Sequence, residues 1–414
     1  MNNLIQQAEE AVPERVAPRC RHFGPCGGCS LQHLDYPSQV EWRRAMAASV
    51  LQKETGGIHL PAIEVFPMEE PWGHRSKMEF TFSAEGGPAY GGGLHSGRIT
   101  LGLHQRGSFQ RIVDIEQCEI SHPEVSRLLR AVKEIAAGFE AKSYDPKRHE
   151  GFWRYAVVRT SRAAGHLMLV LVTTDGPRPP LEAMAAQLPK QVPALRSLYW
   201  GISNRVSDVA HPERLERLFG SEVLEDSVGP VRYSFGPSNF IQPNHALAGK
   251  VYETIRRNAA LTGGQVVCDL YCGIGLISLI LAGEAKVVYG VESEQQNVSF
   301  AERNAELNGI SNAVFLCGRV EDLLKGRALF RAGPAPDVIV LDPPRAGLHK
   351  EVYGPLLEAK ASRLLYLSCN PASLARDLKI LLERDPAYRV ESLQMFDFFP
   401  HTIHAEVLAT LARK

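Results

Sequence analysis

From about residue 240 to residue 385 the chain alternates short apolar runs with amphipathic segments. Val266–Leu270, Val287–Val291, Ala313–Leu316, Val338–Leu341 and Leu364–Leu367 each read as a strand, and each is followed by a segment of helical character. Brief apolar runs bounded by turn signals read as buried strands, and repeated strand–helix alternation forces a parallel sheet with helices on both faces. Nothing else in the sequence restricts the fold as strongly. Two more strands, near Val390–Phe396 and His404–Thr410, close the chain as a hairpin on that sheet. The expected class is α/β, doubly wound and mostly parallel.

Upstream the texture differs. Short strands at Ala62–Phe66, Met78–Ser83, Ile99–His104, Gln110–Ile115, Trp153–Arg159 and His166–Val172 surround a helix over 122–138, which predicts an α+β unit with mostly antiparallel strands. Three segments are expected: a frayed tail over 1–19, an α+β domain over 20–236 and the doubly wound domain over 237–414. The 414 residues are 44% hydrophobic, so core material is ample and wholesale disorder is excluded. No apolar run approaches the roughly 20 residues that a bilayer demands, so no membrane partner is expected. Met1–Arg15 carries no apolar secretory stretch, which predicts a cytoplasmic protein with reduced thiols. Lys+Arg and Asp+Glu both number 46. A polyanionic partner must therefore be met by a local basic surface.

The loop after the first strand of the alternating half reads Asp269-Leu-Tyr271-Cys-Gly273-Ile-Gly275. Glycines there let the backbone turn tightly beside a ligand. Glu292 ends the next strand and is placed to accept hydrogen bonds from ribose hydroxyls. A dinucleotide site calls for a third glycine three residues after Gly275, but that position is Ser278. An adenosyl ligand without phosphates fits better, and S-adenosylmethionine is such a ligand. Further on, Asp342-Pro-Pro-Arg345 and Ser368-Cys369-Asn-Pro371 end two strands, so both should face the ligand crevice. Cys369 precedes a helix beginning near Pro371, and a helix N-terminus lowers a thiol pKa. Glu406 lies in an otherwise apolar strand; burial would raise its pKa toward general-base use, while an edge position would leave it in water.

Together these residues resemble the RNA (uracil-C5) methyltransferase family, whose members modify tRNA and 23S rRNA. The matching pieces are Phe240-Ile-Gln242-Pro-Asn244, Asp269-Leu-Tyr271-Cys-Gly273, Glu292, Asp342-Pro-Pro-Arg345, Ser368-Cys369-Asn-Pro371 and Phe399-Pro-His-Thr-Ile-His-Ala-Glu406, with His74-Arg-Ser-Lys-Met-Glu-Phe80 upstream. The likeness runs from Cys20 onward, to members that lack an N-terminal OB-like domain. It implies a class I S-adenosylmethionine-dependent fold, cofactor contacts from Gln242, Tyr271, Glu292 and Asp342, Cys369 as nucleophile and Glu406 as base. Leu276 stands where relatives often carry Asn, and Arg319 where a neutral or acidic residue is usual near the adenine. The expected substrate is a uridine in 23S rRNA, with tRNA second. Cytosine-C5 methylation and a non-catalytic RNA-binding role are the remaining alternatives, and no obligate protein partner is evident.

Three of the eight cysteines, Cys20, Cys26 and Cys29, crowd into one Gly-rich stretch, and Cys118 follows in Val-Asp-Ile-Glu-Gln-Cys118. Four thiolates suit tetrahedral zinc or an iron–sulfur cluster, and the spacing does not choose. The resemblance implies a [4Fe–4S] cluster. Cys268, Cys272 and Cys317 read as core or near-core thiols. Finally, Lys142, Lys147, Arg148, Arg154, Arg159 and Arg162 outnumber Asp145 and Glu150, with Tyr144, Phe152, Trp153 and Tyr155 interleaved. Basic groups hold phosphates and aromatics stack on unpaired bases, so this stretch is the expected RNA-binding surface.

Overall fold

The computed structural model describes residues 2–12, 14–84, 99–108, 110–206, 209–325 and 335–414. Helices α1 (Asn2–Ala11) and α2 (Tyr36–Glu54) and strand β1 (Ile63–Phe66) come first. Strands β2 (Lys77–Ala84), β3 (Ile99–His104) and β4 (Ile112–Asp114), helix α3 (Pro123–Ala137), strands β5 (Trp153–Thr160) and β6 (Leu167–Thr173), helix α4 (Pro179–Gln191), and strands β7 (Leu195–Ile202) and β8 (Arg214–Gly220) follow. They build one sheet, ordered β4-β3-β2-β5-β6-β7-β8, antiparallel except where α4 carries the chain from β6 to the parallel β7. A hairpin, β9 (Leu224–Val228) with β10 (Val231–Phe235), leads into the second half.

That half contains α5 (His245–Ala259), β11 (Val266–Leu270), α6 (Leu276–Ala282), β12 (Val287–Glu292), α7 (Gln295–Leu307), β13 (Ala313–Cys317) and α8 (Val320–Lys325). It continues through β14 (Val338–Leu341), α9 (Tyr353–Glu358), β15 (Arg363–Ser368), α10 (Pro371–Arg384), β16 (Tyr388–Phe396) and β17 (Glu406–Arg413). The strand order is β1-β16-β17-β15-β14-β11-β12-β13, with β17 the antiparallel strand. The reversal between β12 and β14 at β11 creates the crevice at the carboxyl ends of the strands, where ligands bind such sheets.

Side-chain alternation explains how the halves join. In β6 every residue is buried. Leu167, Leu169 and Leu171 pack with α3 and α4, while Met168, Val170 and Val172 pack into a core that also holds Val251, Ile255, Val267 and Ile277 of the second half. A strand buried on both faces must read as a continuous apolar run, and this one does. One hydrophobic cluster therefore crosses the 236/237 division.

Two segments depart from expectation. Instead of a frayed tail, α1 forms a helix that, with Val12 just after it, buries Ile5 and Ala8 against Leu31, Leu34, Trp42 and Ile403. Apolar side chains at intervals of three and four residues supply one sticky face, and α2 receives it. Strand β1, expected within the α+β half, instead pairs in parallel with β16 and extends the second sheet. Among the described residues no helix is long and apolar enough to cross a membrane.

Candidate active site

Strand β11 ends at Leu270, and the chain turns sharply. Tyr271 (φ 68°), Gly273 (φ 55°) and Gly275 (φ 86°) all adopt left-handed backbone. Glycine does this freely, but tyrosine does so at a cost of about 1–3 kcal/mol, a form of strain that gathers at ligand sites. A Cβ on Gly275 would also meet the Phe315 ring at 2.9 Å. The turn delivers the Gly273 N–H to Glu292 Oε2 at 3.0 Å, and the Glu294 N–H donates to Oε1 at 2.9 Å. The Glu292 carboxylate is thereby fixed at the end of β12.

The next carboxylates lie deeper. Asp269 is fully buried; one oxygen accepts from the Ser278 hydroxyl at 2.6 Å, while Oδ1 has no partner among the described residues. Ser278, read as the lost third glycine, thus holds Asp269. Asp342, at the end of β14, accepts from the Gln242 amide at 2.9 Å. Gln242 is held in turn from the upstream half: the Ser76 hydroxyl donates to its carbonyl at 2.8 Å, and the Ser76 N–H to Pro243 at 2.9 Å. Burial lifts both acids to about 7, helped at Asp269 by Glu292 and at Asp342 by Asp269. Three carboxylates without a countercharge suit a ligand that carries positive charge and hydroxyls, and they oppose a pyrophosphate.

Cys369 follows β15 and is half-buried; Ser368 pairs with Val407, so Cys369 lies beside Glu406 at the start of β17. Strand β17 runs between β15 and β16, and Glu406 is buried (4% exposed). The edge-strand alternative is thereby excluded. Burial, then the Asp342 charge, drives the Glu406 pKa well above its usual value. The thiol departs from expectation. Its pKa rises to about 11 through burial and the neighbouring Glu406 and Asp342, and Arg345 offsets this only in part. A helix does begin beside it, capped by Asn370, but desolvation and two acids outweigh the end of a helix dipole. Asn370 also donates to the Arg345 carbonyl at 3.2 Å, joining the Cys369 turn to the Asp342 loop.

The loop that carries Glu406 is anchored by a buried pair. Arg43 of α2 donates to Asp397 at 2.7 Å and to the Thr402 carbonyl at 2.8 Å, and Tyr36 donates to the same Asp397 oxygen at 2.6 Å. The sequence offered no sign of this anchor, since its members lie about 350 residues apart. Tyr271 is half-buried, and its ring packs on the α8–α10 side of the sheet. Leu276 is buried at the start of α6. Arg319 is largely exposed and donates to Glu321, so its charge is met two residues on.

Cys20, Cys26, Cys29 and Cys118 line one small pocket. Burial raises the Cys29 thiol to about 12 and the Cys118 thiol to about 11, and the cysteines reinforce one another. Among the described residues no group of three or more His, Cys, Asp or Glu is set to hold a metal ion. Of the remaining cysteines, Cys268 and Cys272 are buried as expected, but Cys317 is exposed.

The basic stretch is corrected by the structure. Tyr144, Phe152, Trp153 and Tyr155 are buried, as are Arg154 and Arg159. Arg154 donates to the carbonyls of Ser203 and Arg205. Arg159 donates to those of Pro237 and Asn239, bracing the link between the halves. Lys142, Lys147, Arg148 and Arg162 remain exposed. Every residue of β5 is buried, because the strand is covered on both faces, so the composition of this stretch does not describe a surface.

The strand order, the strained glycine turn and the acidic crevice define a class I S-adenosylmethionine-dependent methyltransferase. Residues 214–414 match the family described as tRNA (Uracil-5-)-methyltransferase. An RNA methyltransferase of Halalkalibacterium halodurans is 35% identical over 408 residues, spanning 98% of this chain and 85% of that one. One from Listeria monocytogenes is 34% identical over 98% of this chain and 86% of its own. The solved Pyrococcus abyssi tRNA (uracil-54, C5)-methyltransferase, in complex with S-adenosyl-L-homocysteine, superposes with a TM-score of 0.73 at 28% identity, covering 94% of this chain and 86% of that one. This chain belongs to the S-adenosylmethionine-dependent RNA (uracil-C5) methyltransferase family.

Proposed function

We propose that this protein methylates C5 of a uridine in 23S rRNA through a transient bond between Cys369 and C6 of the base. The observation that carries this reading is the placement of the Cys369 thiol beside Glu406 and within electrostatic reach of Asp342, at the ends of adjoining strands. Uracil C5 is a poor nucleophile. The Cys369 thiol gives up its proton to solvent and the thiolate adds to C6, which shifts the C5–C6 electron pair to C5; C5 then takes the methyl group, and the donor sulfur departs as a neutral thioether. Glu406 removes the C5 proton, the C5–C6 double bond re-forms, and the sulfur leaves C6. Gln242, Tyr271, Glu292 and Asp342 hold the methyl donor, whose sulfonium supplies an activated methyl group and a positive charge that Asp342 favours. Phe240, 63% exposed just ahead of Gln242, offers a ring on which a base can stack.

A tRNA uridine is the second reading, favoured by the likeness to the Pyrococcus abyssi enzyme. We further propose that Cys20, Cys26, Cys29 and Cys118 hold a [4Fe–4S] cluster with a structural or RNA-positioning role, since the methylation transfers no electron. Their shared pocket supports this. When bound, the cluster would tie the Cys20–Cys29 loop to Cys118.

The test is to incubate the purified protein with unmodified 23S rRNA and with unmodified tRNA, then map 5-methyluridine by mass spectrometry. Methylation of rRNA, lost with Cys369→Ala, is expected; methylation of tRNA alone selects the second reading. A Cys369→Ala protein that still methylates uridine would overturn the mechanism. Iron and sulfide analysis of anaerobically purified protein addresses the cluster: four irons per chain are expected, and zinc in their place would contradict it.

A further inference from the structure

A chamber of about 620 Å3 lies outside the acidic crevice, walled by the segment after β1, the end of β5 and the start of α5. Sites for small ligands commonly enclose about 300–1,000 Å3. The chamber is on the edge of the sheet that carries Cys369 and Glu406. Phe66 at the end of β1 pairs with Phe396 at the end of β16, just before the loop that leads to Glu406. Its wall is bonded to that loop: the Asn244 amide donates to the Met68 sulfur at 2.9 Å and to the Phe398 carbonyl at 3.2 Å.

Three cations line this chamber, Arg75, Arg162 and Lys250. Arg75 is half-buried, its guanidinium lies within electrostatic reach of Cys118, Cys29 and Glu79, and its Nε has no hydrogen-bond partner among the described residues. Arg162 and Lys250 are exposed, and the Lys250 ammonium stands 5.2 Å from the Phe66 ring. The two carboxylates on the lining, Glu69 and Glu70, are exposed at its margin, and Glu70 already faces Arg19 at 4.0 Å. Helix α5 is 15 residues long and presents its first turn, His245–Leu247, to the same space. The Asn244 side chain already accepts from the Leu247 N–H at 3.3 Å, and the positive end of the helix dipole favours an anion there. An independent sign of a ligand is His245. Its side chain is only 9% exposed, Nδ1 is spent on Asp226 at 2.8 Å, and Nε2 on the far edge of the ring has no partner among the described residues. Nε2 is left to pair with a ligand group, and a ribose 2′-hydroxyl, which RNA has and DNA lacks, can both donate and accept.

We propose that this chamber is a ribose–phosphate subsite that grips the RNA strand next to the target uridine. It deepens the functional reading above, since it takes RNA as the substrate. Arg75, Arg162 and Lys250 meet the phosphodiester, and His245 meets a 2′-hydroxyl. The neighbouring crevice is acidic and repels the backbone, so only an uncharged base enters it.

The test is fluorescence anisotropy with a labelled 12-nucleotide oligouridylate and its all-deoxy counterpart, across a salt series. Each phosphate contact on a single strand contributes about 0.7 to the slope of log K against log salt. The double variant Arg162→Ala/Lys250→Ala is expected to bind the RNA at least tenfold more weakly with a slope lower by about 1.4. Its thermal midpoint and its affinity for S-adenosylhomocysteine should be unchanged. Lys286→Ala/Arg303→Ala, which removes the same charge from exposed positions given no part in RNA binding, should leave the affinity near wild type. His245→Ala should reduce the preference for RNA over the deoxy strand. Equal losses from the two double variants, or none from the first, would overturn the proposal. Failure of the two readings can be told apart: a protein that binds through the chamber and transfers no methyl group sinks the function alone, and a methylating protein indifferent to Arg162 and Lys250 sinks the chamber alone.

Discussion

Two neighbouring depressions on one sheet edge carry opposite charge. The crevice gathers Asp269, Glu292, Asp342 and Glu406; Asp269 and Glu406 are buried, Asp342 is half-buried, and desolvation raises the pKa of all three. The chamber gathers Arg75, Arg162 and Lys250, with two of the three exposed. A formal net charge of zero conceals this separation. Each depression suits a different part of one reaction. A buried acid cluster lowers the free energy of a cationic ligand, and a partly solvated basic wall attracts a polyanion without binding it irreversibly.

The largest effect should come from breaking the anchor between them. Arg43 and Asp397 are 1% and 0% exposed. Removal of one member strands the other charge in the core, so Arg43→Met should cost about 3–5 kcal/mol in urea unfolding. It should also loosen the 397–405 loop. A loss below about 1 kcal/mol would mean that water reaches Asp397.

A smaller effect sharpens the contrast itself. Asp269 and Asp342 have folded pKa values of about 7 against the usual 3.8. Between those limits the folded protein holds protons that the unfolded chain has released. Their contribution to stability is thus fully present below pH 3.8 and is lost as pH rises through about 7. The same ionisation favours the sulfonium. Calorimetry should show the affinity ratio of S-adenosylmethionine to S-adenosylhomocysteine rising between pH 6 and 8, by at most about tenfold per unit. Asp342→Asn should flatten that rise. A ratio independent of pH would remove Asp342 from the cofactor's charge balance.

The smallest effect is expected at Arg319. It is 65% exposed, and among the described residues it forms ion pairs with its near neighbours Glu321 and Asp322. Arg319→Ala should leave both the thermal midpoint and cofactor affinity unchanged, as measured by thermal shift with and without S-adenosylhomocysteine.

The two depressions were not equally legible in the sequence. Asp269, Glu292, Asp342 and Cys369 fall at the ends of strands whose apolar runs are unmistakable, so the alternating pattern placed them on one edge in advance. Glu406 could be read as buried or exposed until β17 proved to be an interior strand. Of the chamber's cations, the sequence pointed to Arg162 alone, as one member of the basic stretch. Arg75, Arg162 and Lys250 come from three distant segments, and only the packing of two sheets brings them together. The segment that did look basic and aromatic places Trp153, Arg154 and Arg159 inside, because a strand buried on both faces hides arginines against carbonyls. Helix α1 was missed because an apolar face of Ile5, Ala8 and Val12 is short, and its stability comes from tertiary packing. The Cys369 pKa was misjudged for a related reason: the helix after it is local, whereas the carboxylates of Glu406 and Asp342 come from other strands.

The central claim is that the sulfur of Cys369 bonds to the base before Glu406 takes its proton. Glu406→Gln protein, incubated with S-adenosylmethionine and unmodified rRNA and then denatured, should yield a protein–RNA adduct carrying one added methyl group by mass spectrometry. The double variant Glu406→Gln/Cys369→Ala should yield none. Absence of the adduct from the single variant, or its persistence in the double variant, would contradict the mechanism.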